Sequence, residues 1–211
     1  PKLKGGDYKT IVAPKSDELG EFVDKLAERS EIIKNGCDPR IDNMLLVTND
    51  GRKAALDLRM IDPNMPDLPN SKINMAVENI YRIWLENKED RLTQLVFCDL
   101  STPRTDGTFN VYDDIKDKLV ARGVPEEEIE FIHSADTEKK KTELFRKVNT
   151  GDVRILIGST AKMGAGTNIQ NKLIALHHLD IGWRPSDLEQ REGRIIRQGN
   201  ENEKVYIYRY V

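Results

Sequence analysis

From residue 92 onward, short apolar runs alternate with stretches of helical spacing, and this alternation restricts the fold more than any other feature. The apolar runs are QLVFCDL, IEFIHS, VRILIGST, LIALHHLDI and KVYIYRYV, and helices are predicted near residues 110–122, 137–148 and 186–197. Strands separated by helices of about ten residues form parallel sheets, and continuous apolar runs are typical of strands covered on both faces. The sequence therefore predicts an α/β fold with a mostly parallel sheet flanked by helices.

The first 90 residues have a different pattern. Ser16 and Ser71 are the predicted N-caps of two helices, because apolar residues recur at helical spacing after each of them. Between these helices, the tripeptide at residues 49–51 (Asn-Asp-Gly) separates two apolar-rich runs and predicts a β-hairpin. We therefore expect an N-terminal extension with helix and β-hairpin over residues 1–90, followed by one α/β domain over residues 91–211.

Charge and cysteine content narrow the classes of function. The net charge of −3 argues against nucleic-acid binding by charge alone, which requires that many phosphates be neutralised. Cys37 and Cys98 form no CxxC pair, so we expect neither a disulfide framework nor a zinc site, and the chain suits the reducing cytoplasm. No apolar run approaches the roughly 18 residues of a membrane span, and no signal peptide is recognisable. A start at Pro1 and an end within a strand-like run suggest a piece of a longer protein.

Two strand ends carry small or polar residues where ligands of such sheets gather. In the run STAKMGAGTNIQ (159–170), Gly164 and Gly166 either allow close backbone approach to an anion or make a tight strand-to-helix turn. In FCDLSTPR, Asp99 and Ser101 either cap a helix or contact a phosphate, and an ordinary polar loop is the favoured interpretation on chemistry alone.

The third strand end leads into an arginine-rich run, DLEQREGRIIRQGN, over residues 187–200. Arg191, Arg194 and Arg197 are spaced by three, which would place them on one face of a helix capped by Ser186. Such a face is either solvated or a phosphate clamp, since arginine makes bidentate contacts with phosphate. The run alone leaves both alternatives open.

Together these runs resemble the second RecA-like lobe of superfamily 2 helicases and translocases over residues 92–211. QLVFCD resembles motif IV, LIGSTAKMGAGTNIQ resembles motif V, and QREGRIIRQGN resembles motif VI, whose pattern is Gln-Arg-x-Gly-Arg-x-x-Arg. The closing QGNENEKVYIYRYV is similar to the end of this lobe in Swi/Snf-type translocases. The earlier GRKAALDLRMID adds a likeness to bacterial, phage and mobile-element helicases that are fused to adenine-specific DNA methyltransferases.

The resemblance implies roles in ATP hydrolysis on a nucleic acid. Arg197 would be the arginine finger on the γ-phosphate, Arg194 the second phosphate-sensing arginine, and Arg191 a structural or ion-paired residue. The nucleotide would also be contacted by Gln190, Gly164, Gly166 and Asn168, of which Asn168 would face the ribose. The nucleic-acid contacts would be Thr160, Ser159 and Ser101.

The first lobe of such enzymes holds ATP and Mg²⁺ through a Gly-x-x-x-x-Gly-Lys-[Ser/Thr] sequence and an Asp-Glu-x-x box. This chain has no Gly-Lys dipeptide, and its single Asp-Glu dipeptide, at residues 17–18, opens the predicted helix after Ser16 and is not such a box. We therefore expect a motor lobe that is inactive alone and whose partners are DNA (a duplex), the first lobe and a fused methyltransferase. The alternative is a non-catalytic RecA-like binding or scaffold module, which would not need Arg194 and Arg197 in register. The three histidines lack a further ligand at metal spacing, so no metal site is predicted.

Overall fold

The computed structural model describes residues 1–3, 8–163, 167–182 and 184–211. Its helices are α1 (Asp17–Lys34), α2 (Met44–Leu56), α3 (Lys72–Glu86), α4 (Val111–Ala121), α5 (Glu138–Thr150) and α6 (Pro185–Glu192). Its strands are β1 (Lys2–Leu3), β2 (Lys9–Ile11), β3 (Thr93–Phe97), β4 (Ile129–Phe131), β5 (Ile155–Gly158), β6 (Leu173–His178) and β7 (Lys204–Tyr210). The predicted alternation of strands and helices after residue 92 is confirmed.

The described strands form one sheet in the order β1-β7-β6-β3-β5-β4, and β2 pairs with β7 as well. Every pairing among them is parallel. The strands β1 and β2 were not predicted, because each is only two or three residues long within a polar stretch. The predicted fold class, an α/β domain with a mostly parallel sheet, is confirmed.

Both faces of the sheet are covered, as the continuous apolar runs predicted. In β3, Val96 packs in the core that α3 and α4 share, while Leu95 and Phe97 pack in the core under α5. Alternate residues of a strand point to opposite faces, so each strand contributes to both cores. Helix α3 lies before residue 91, yet it packs into the core on one face of the sheet. The predicted domain boundary between residues 90 and 91 stays a prediction.

The two predicted N-caps of the first 90 residues are confirmed. The Ser16 hydroxyl accepts a hydrogen bond from the Leu19 amide at 3.1 Å, and the Ser71 hydroxyl accepts one from the Asn74 amide at 3.2 Å. Each hydroxyl satisfies one of the amides that a helix start leaves unpaired.

The predicted β-hairpin at residues 49–51 is wrong, because this tripeptide lies inside helix α2. The N-cap of this helix is Asn43, whose side chain accepts hydrogen bonds from the amides of residues 45 and 46. Asp50 pairs with Arg29 of α1 at 2.8 Å, and a side chain on Gly51 would meet Leu26 of α1 at 3.4 Å. The cap and the close packing of α1 on α2 therefore override the local turn preference.

The predicted helix over residues 186–197 is only partly correct. Helix α6 spans Pro185–Glu192, and its N-cap is Arg184 without a side-chain hydrogen bond, so the expected cap at Ser186 is wrong. Pro185 occupies the first helical position, where its missing N–H costs nothing. The segment from Gly193 onward continues in turns, which means that Arg194 and Arg197 lie beyond the helix rather than on one helical face with Arg191.

The buried His177 of β6 gives the fold a definite pH dependence. Its ring nitrogens lie 2.9 Å from the Tyr210 hydroxyl and 2.9 Å from Oε1 of Gln94. Burial, with help from the charges of His178 and Arg82, lowers the pKa of His177 to about 3. The folded chain therefore keeps this ring neutral under conditions where an exposed histidine takes up a proton.

We expect acidification from pH 7 to pH 5 to lower the free energy of unfolding by about 2 kcal/mol through His177 alone. The unfolded chain, with a histidine pKa of about 6.5, binds the proton in this range and the folded chain does not, so acid favours unfolding. Urea unfolding at the two pH values measures this loss, with His177→Gln as the matched variant. A wild-type loss no larger than that of the variant would contradict the expectation.

Candidate nucleotide and nucleic-acid site

The carboxyl ends of β3, β5 and β6 lie side by side and bring three polar residues together. We call this end of the sheet, where the strands terminate, the sheet edge. Asp99 follows β3, Thr160 follows β5, and Asp180 follows β6. The Asp99 carboxylate accepts hydrogen bonds from the Thr160 amide at 2.7 Å and from the Thr160 hydroxyl at 2.8 Å. The runs that resemble motifs IV and V are therefore joined directly.

Arg191 of α6 is the centre of this edge. Its Nε donates to the Thr160 hydroxyl at 2.7 Å, and its Nη2 donates to the Asp99 carboxylate at 2.7 Å. Its Nη1 donates to the Asp180 carbonyl at 2.7 Å, and Nη2 lies 3.4 Å from the Asp180 carboxylate. The guanidinium is 5.0 Å from the centre of the Phe97 ring, and its side chain is 1% exposed. The interpretation of Arg191 as an ion-paired structural residue is confirmed.

Asp180 fixes the loop that follows β3. Its carboxylate accepts the backbone amides of Asp99 at 2.7 Å and Leu100 at 2.8 Å, and its side chain is buried. A buried carboxylate needs such donors and a neighbouring cation to offset its desolvation. Sequence reasoning missed Asp180, although its position directly after an apolar strand is the signal that had drawn attention to Asp99.

A second chain of contacts runs from Arg191 away from the sheet edge. Nη1 of Arg191 lies 3.3 Å from Nδ1 of His178, and Nε2 of His178 lies 3.2 Å from the Glu192 carboxylate. Burial and the charge of Arg191 lower the pKa of His178, against the opposing effect of Glu192. We infer a neutral ring protonated at Nε2, because Nδ1 must accept from the arginine. Glu192 also binds Arg209 of β7 at 2.8 Å, which anchors α6 to the sheet.

The two arginines after α6 differ in exposure. The Arg194 residue is 7% exposed, whereas Arg197 is exposed to solvent. Burial lowers the pKa of the Arg194 guanidinium, and the positive charge of Arg197 lowers it further. The two guanidinium groups follow the end of α6 and repel each other, and a bound anion would offset this repulsion.

The other predicted nucleotide contacts are Gln190, Asn168, Gly164 and Gly166. Gln190 is exposed on α6, and Asn168 is exposed with its carbonyl accepting the Asn149 side-chain amide at 2.7 Å. Gly164 and Gly166 lie outside the described residues. These assignments stay predictions.

The predicted nucleic-acid contacts are engaged in hydrogen bonds within the chain. The Ser101 hydroxyl accepts the Val111 amide at 2.8 Å beneath the start of α4, and Ser101 is buried. The Ser159 hydroxyl accepts the Lys162 amide at 3.3 Å, and Ser159 is buried as well. Thr160 is half-buried and both of its donors go to Asp99. A phosphate contact by any of the three stays a prediction.

Two further properties hold for the described part of the chain. No three His, Cys, Asp or Glu side chains there are grouped so that they could hold a metal ion. Within the same residues, no helix is long and apolar enough to cross a membrane.

The family model of the helicase conserved C-terminal domain matches residues 72–199. The chain therefore belongs to the family of helicase conserved C-terminal domains. A comparison with curated protein sequences gave no match.

A solved structure of an ATPase domain shares the fold, and two helicase structures show weaker similarity. The C-terminal part of the Fun30 ATPase domain matches with a TM-score of 0.66 and 15% identity, over 100% of this chain and 85% of that chain. Domain 2 of the Mss116p DEAD-box helicase, bound to an RNA duplex, matches with a TM-score of 0.49 and 20% identity over 66% of this chain and 49% of that one. The DUF1998 helicase MrfA, bound to DNA, matches with a TM-score of 0.47 and 16% identity over 64% of this chain. This chain spans 18% of the MrfA chain.

Proposed function

We propose that this chain is the second motor lobe of an ATP-dependent DNA helicase or translocase of superfamily 2, with closest character to the Swi/Snf type. The observation that carries the proposal is the position of Arg191. This residue binds Thr160 and Asp99 at the carboxyl ends of the strands. The arginine pair, Arg194 and Arg197, follows it in the same short segment. One short segment would therefore link a contact at the strand ends to a contact at the arginine pair.

The arginine pair suits the phosphates of ATP. Phosphoryl transfer is catalysed by positioning and by stabilisation of charge on the transferred group, which is the contribution of an arginine finger. Arg197 is exposed and able to reach a nucleotide held by another lobe, while Arg194 is partly shielded from water. In this arrangement Arg197 contacts the γ-phosphate, Arg194 binds a neighbouring phosphate oxygen, and Gln190 orients the site.

The remaining ATP and Mg²⁺ ligands belong to the first lobe in this proposal, because the chain has no Gly-Lys dipeptide and its single Asp-Glu dipeptide, at residues 17–18, is the start of helix α1. ATP supplies the phosphoryl group when it is bound between the lobes. We place a DNA duplex across the Thr160 side of the sheet edge. We also propose a cytoplasmic protein whose longer chain carries an adenine-specific DNA methyltransferase, a proposal that rests on the GRKAALDLRMID run.

The direct test compares ATP hydrolysis by the full-length protein and by the 211-residue chain, each with and without a DNA duplex. We expect DNA-stimulated turnover by the full-length protein and none by the isolated chain, since the isolated chain lacks the groups that hold the triphosphate. Turnover by the isolated chain would contradict the division of labour between lobes. A full-length protein that binds DNA but does not hydrolyse ATP would instead support the scaffold function.

A further inference from the structure

The Asp99 carboxylate occupies a ready-made anion site, which we call the anion seat. The seat consists of three donors: the Thr160 amide, 2.7 Å from Oδ1; the Thr160 hydroxyl, 2.8 Å from Oδ2; and Nη2 of Arg191, 2.7 Å from Oδ2. A backbone amide, a hydroxyl and a guanidinium are the groups that proteins direct at phosphate oxygens. The carboxylate of Asp99 thus stands where two oxygens of a phosphate would be bound.

The seat would persist if Asp99 left it. Arg191 keeps its bond to the Asp180 carbonyl at 2.7 Å and is closed off from solvent, so its guanidinium remains in place. The main chain of Asp99 is likewise fixed, because its amide donates to the Asp180 carboxylate at 2.7 Å. Rotation of the Asp99 side chain alone would therefore empty the seat.

The seat is also accessible from outside. The Asp99 side chain is 33% exposed and Thr160 is half-buried, in contrast to the buried Arg191 behind them. An anion approaching from solvent meets Asp99 first and must compete with it for the same three donors. An intramolecular carboxylate competes at a high effective concentration, so it raises the ligand concentration needed for binding.

We infer that the anion seat binds a backbone phosphate of DNA and that Asp99 is the internal competitor that this phosphate displaces. The inference rests on the proposed function, since it assigns the proposed nucleic-acid contact of Thr160 to a defined donor set. Asp99 then lowers the affinity for DNA. In the absence of DNA, its carboxylate occupies the anion seat in place of the phosphate. Arg191 lies in the same segment as the arginine pair. Replacement of the Asp99 carboxylate by a DNA phosphate therefore gives this segment a direct contact with DNA.

The test replaces Asp99 by asparagine and measures the affinity of the full-length protein for a fluorescein-labelled DNA duplex by anisotropy. Asparagine keeps the shape but has no charge and only one acceptor oxygen, so it competes less strongly for the three donors. We expect DNA affinity to rise about tenfold, the equivalent of one lost charge-assisted hydrogen bond. Asp106→Asn is the matched control, because it removes the same charge from an exposed carboxylate of the same loop. We expect the control to change affinity less than about twofold.

A second variant keeps the inference testable if Asp99→Asn is poorly folded. Thr160→Val removes one donor of the seat with little change of volume, and we expect it to weaken DNA binding about tenfold, with Thr160→Ser restoring most of the loss. If Asp99 only supports the loop, Asp99→Asn will bind DNA no more tightly than the wild type. That result, or a Thr160→Val protein with wild-type affinity, would overturn the inference.

Competition identifies the source of the phosphate. Inorganic phosphate and ATP are titrated separately against the labelled duplex bound to Asp99→Asn. We expect an unlabelled duplex to displace the label at far lower concentration than either. Displacement by ATP at equal concentration would place a nucleotide in the seat and overturn the DNA assignment.

A wild-type protein that neither binds DNA nor is stimulated by it would refute the proposed function itself, whereas DNA binding without a gain in Asp99→Asn refutes the seat alone.

Discussion

Replacement of Arg197 by alanine in the full-length protein is expected to lower the turnover number of DNA-stimulated ATP hydrolysis by about 10³-fold. The guanidinium is exposed beyond the end of α6, and its positive charge would stabilise the negative charge on the transferred phosphoryl group. Because the proposed contact strengthens as charge develops on that group, the effect should fall on the turnover number more than on the binding of ATP. Steady-state kinetics at saturating DNA provide the measurement.

Arg40→Ala is the control for the Arg197 variant, since Arg40 is an exposed arginine whose side chain is 90% accessible in the connection between α1 and α2. We expect this control to retain wild-type turnover. An Arg197→Ala protein that hydrolyses ATP at the wild-type rate would remove the arginine finger from the account and leave the scaffold function standing.

Replacement of Arg191 by methionine is expected to lower the free energy of unfolding of the 211-residue chain by about 3 kcal/mol or more. Methionine fills the space beside Phe97 but leaves the buried Asp180 carboxylate without its cation and Thr160 without its donor. Breaking a buried ion pair by removing one partner is costly because the other charge stays buried. Urea unfolding monitored by circular dichroism measures the loss.

Arg146→Met on α5 is the matched control for this variant. Arg146 is exposed and pairs with Glu143 one turn away, an arrangement that contributes less than about 1 kcal/mol. We also expect Arg191→Lys to be intermediate, because lysine keeps the charge but lacks the planar fork that joins residues from three strand ends. Equal stability of the Arg191→Met and Arg146→Met chains would mean that Arg191 is not the centre of the sheet edge.

The sheet was predictable from sequence because its strands are buried on both faces. The continuous apolar runs around Leu95, Ile157 and Leu176 have no polar alternation that could suggest another structure. Because ligands of such sheets gather beyond the carboxyl ends of the strands, the loops that carry Asp99 and Thr160 could be predicted to lie at the same end of the sheet. The resemblance of the same runs to helicase motifs then indicated a helicase C-terminal lobe, which the match of the helicase conserved C-terminal domain over residues 72–199 confirms.

The errors arose where tertiary contacts decide the outcome. The Asn-Asp-Gly tripeptide prefers a turn in isolation, but the pairing of Asp50 with Arg29 and the contact of Gly51 with α1 hold it in a helix. Likewise, the spacing of Arg194 and Arg197 suggested a longer helix, whereas α6 ends at Glu192. Spacing in sequence cannot show where a helix stops when no side-chain cap marks its end.

The network around Arg191 could be predicted only in part. An ion-paired role for Arg191 was expected, but its partners come from three different strand ends and are separated by up to 92 positions in the sequence. Such long-range pairs follow from the strand order, which the sequence does not state. The hydrogen bond from the Thr160 hydroxyl to Asp99 is another such long-range contact, and the predicted nucleic-acid contact of Thr160 stays a prediction.

The most direct test of the central claim, that the arginine pair acts on the γ-phosphate, is the binding of ADP with and without aluminium fluoride, a planar analogue of the transferred phosphoryl group. The full-length wild-type protein should bind ADP far more tightly when aluminium fluoride and DNA are present, because the analogue resembles the transition state. In Arg197→Ala this gain should disappear while the affinity for ADP alone is kept. A variant that retains the full gain would contradict the account, because no contact of Arg197 with the transferred group could then contribute to catalysis.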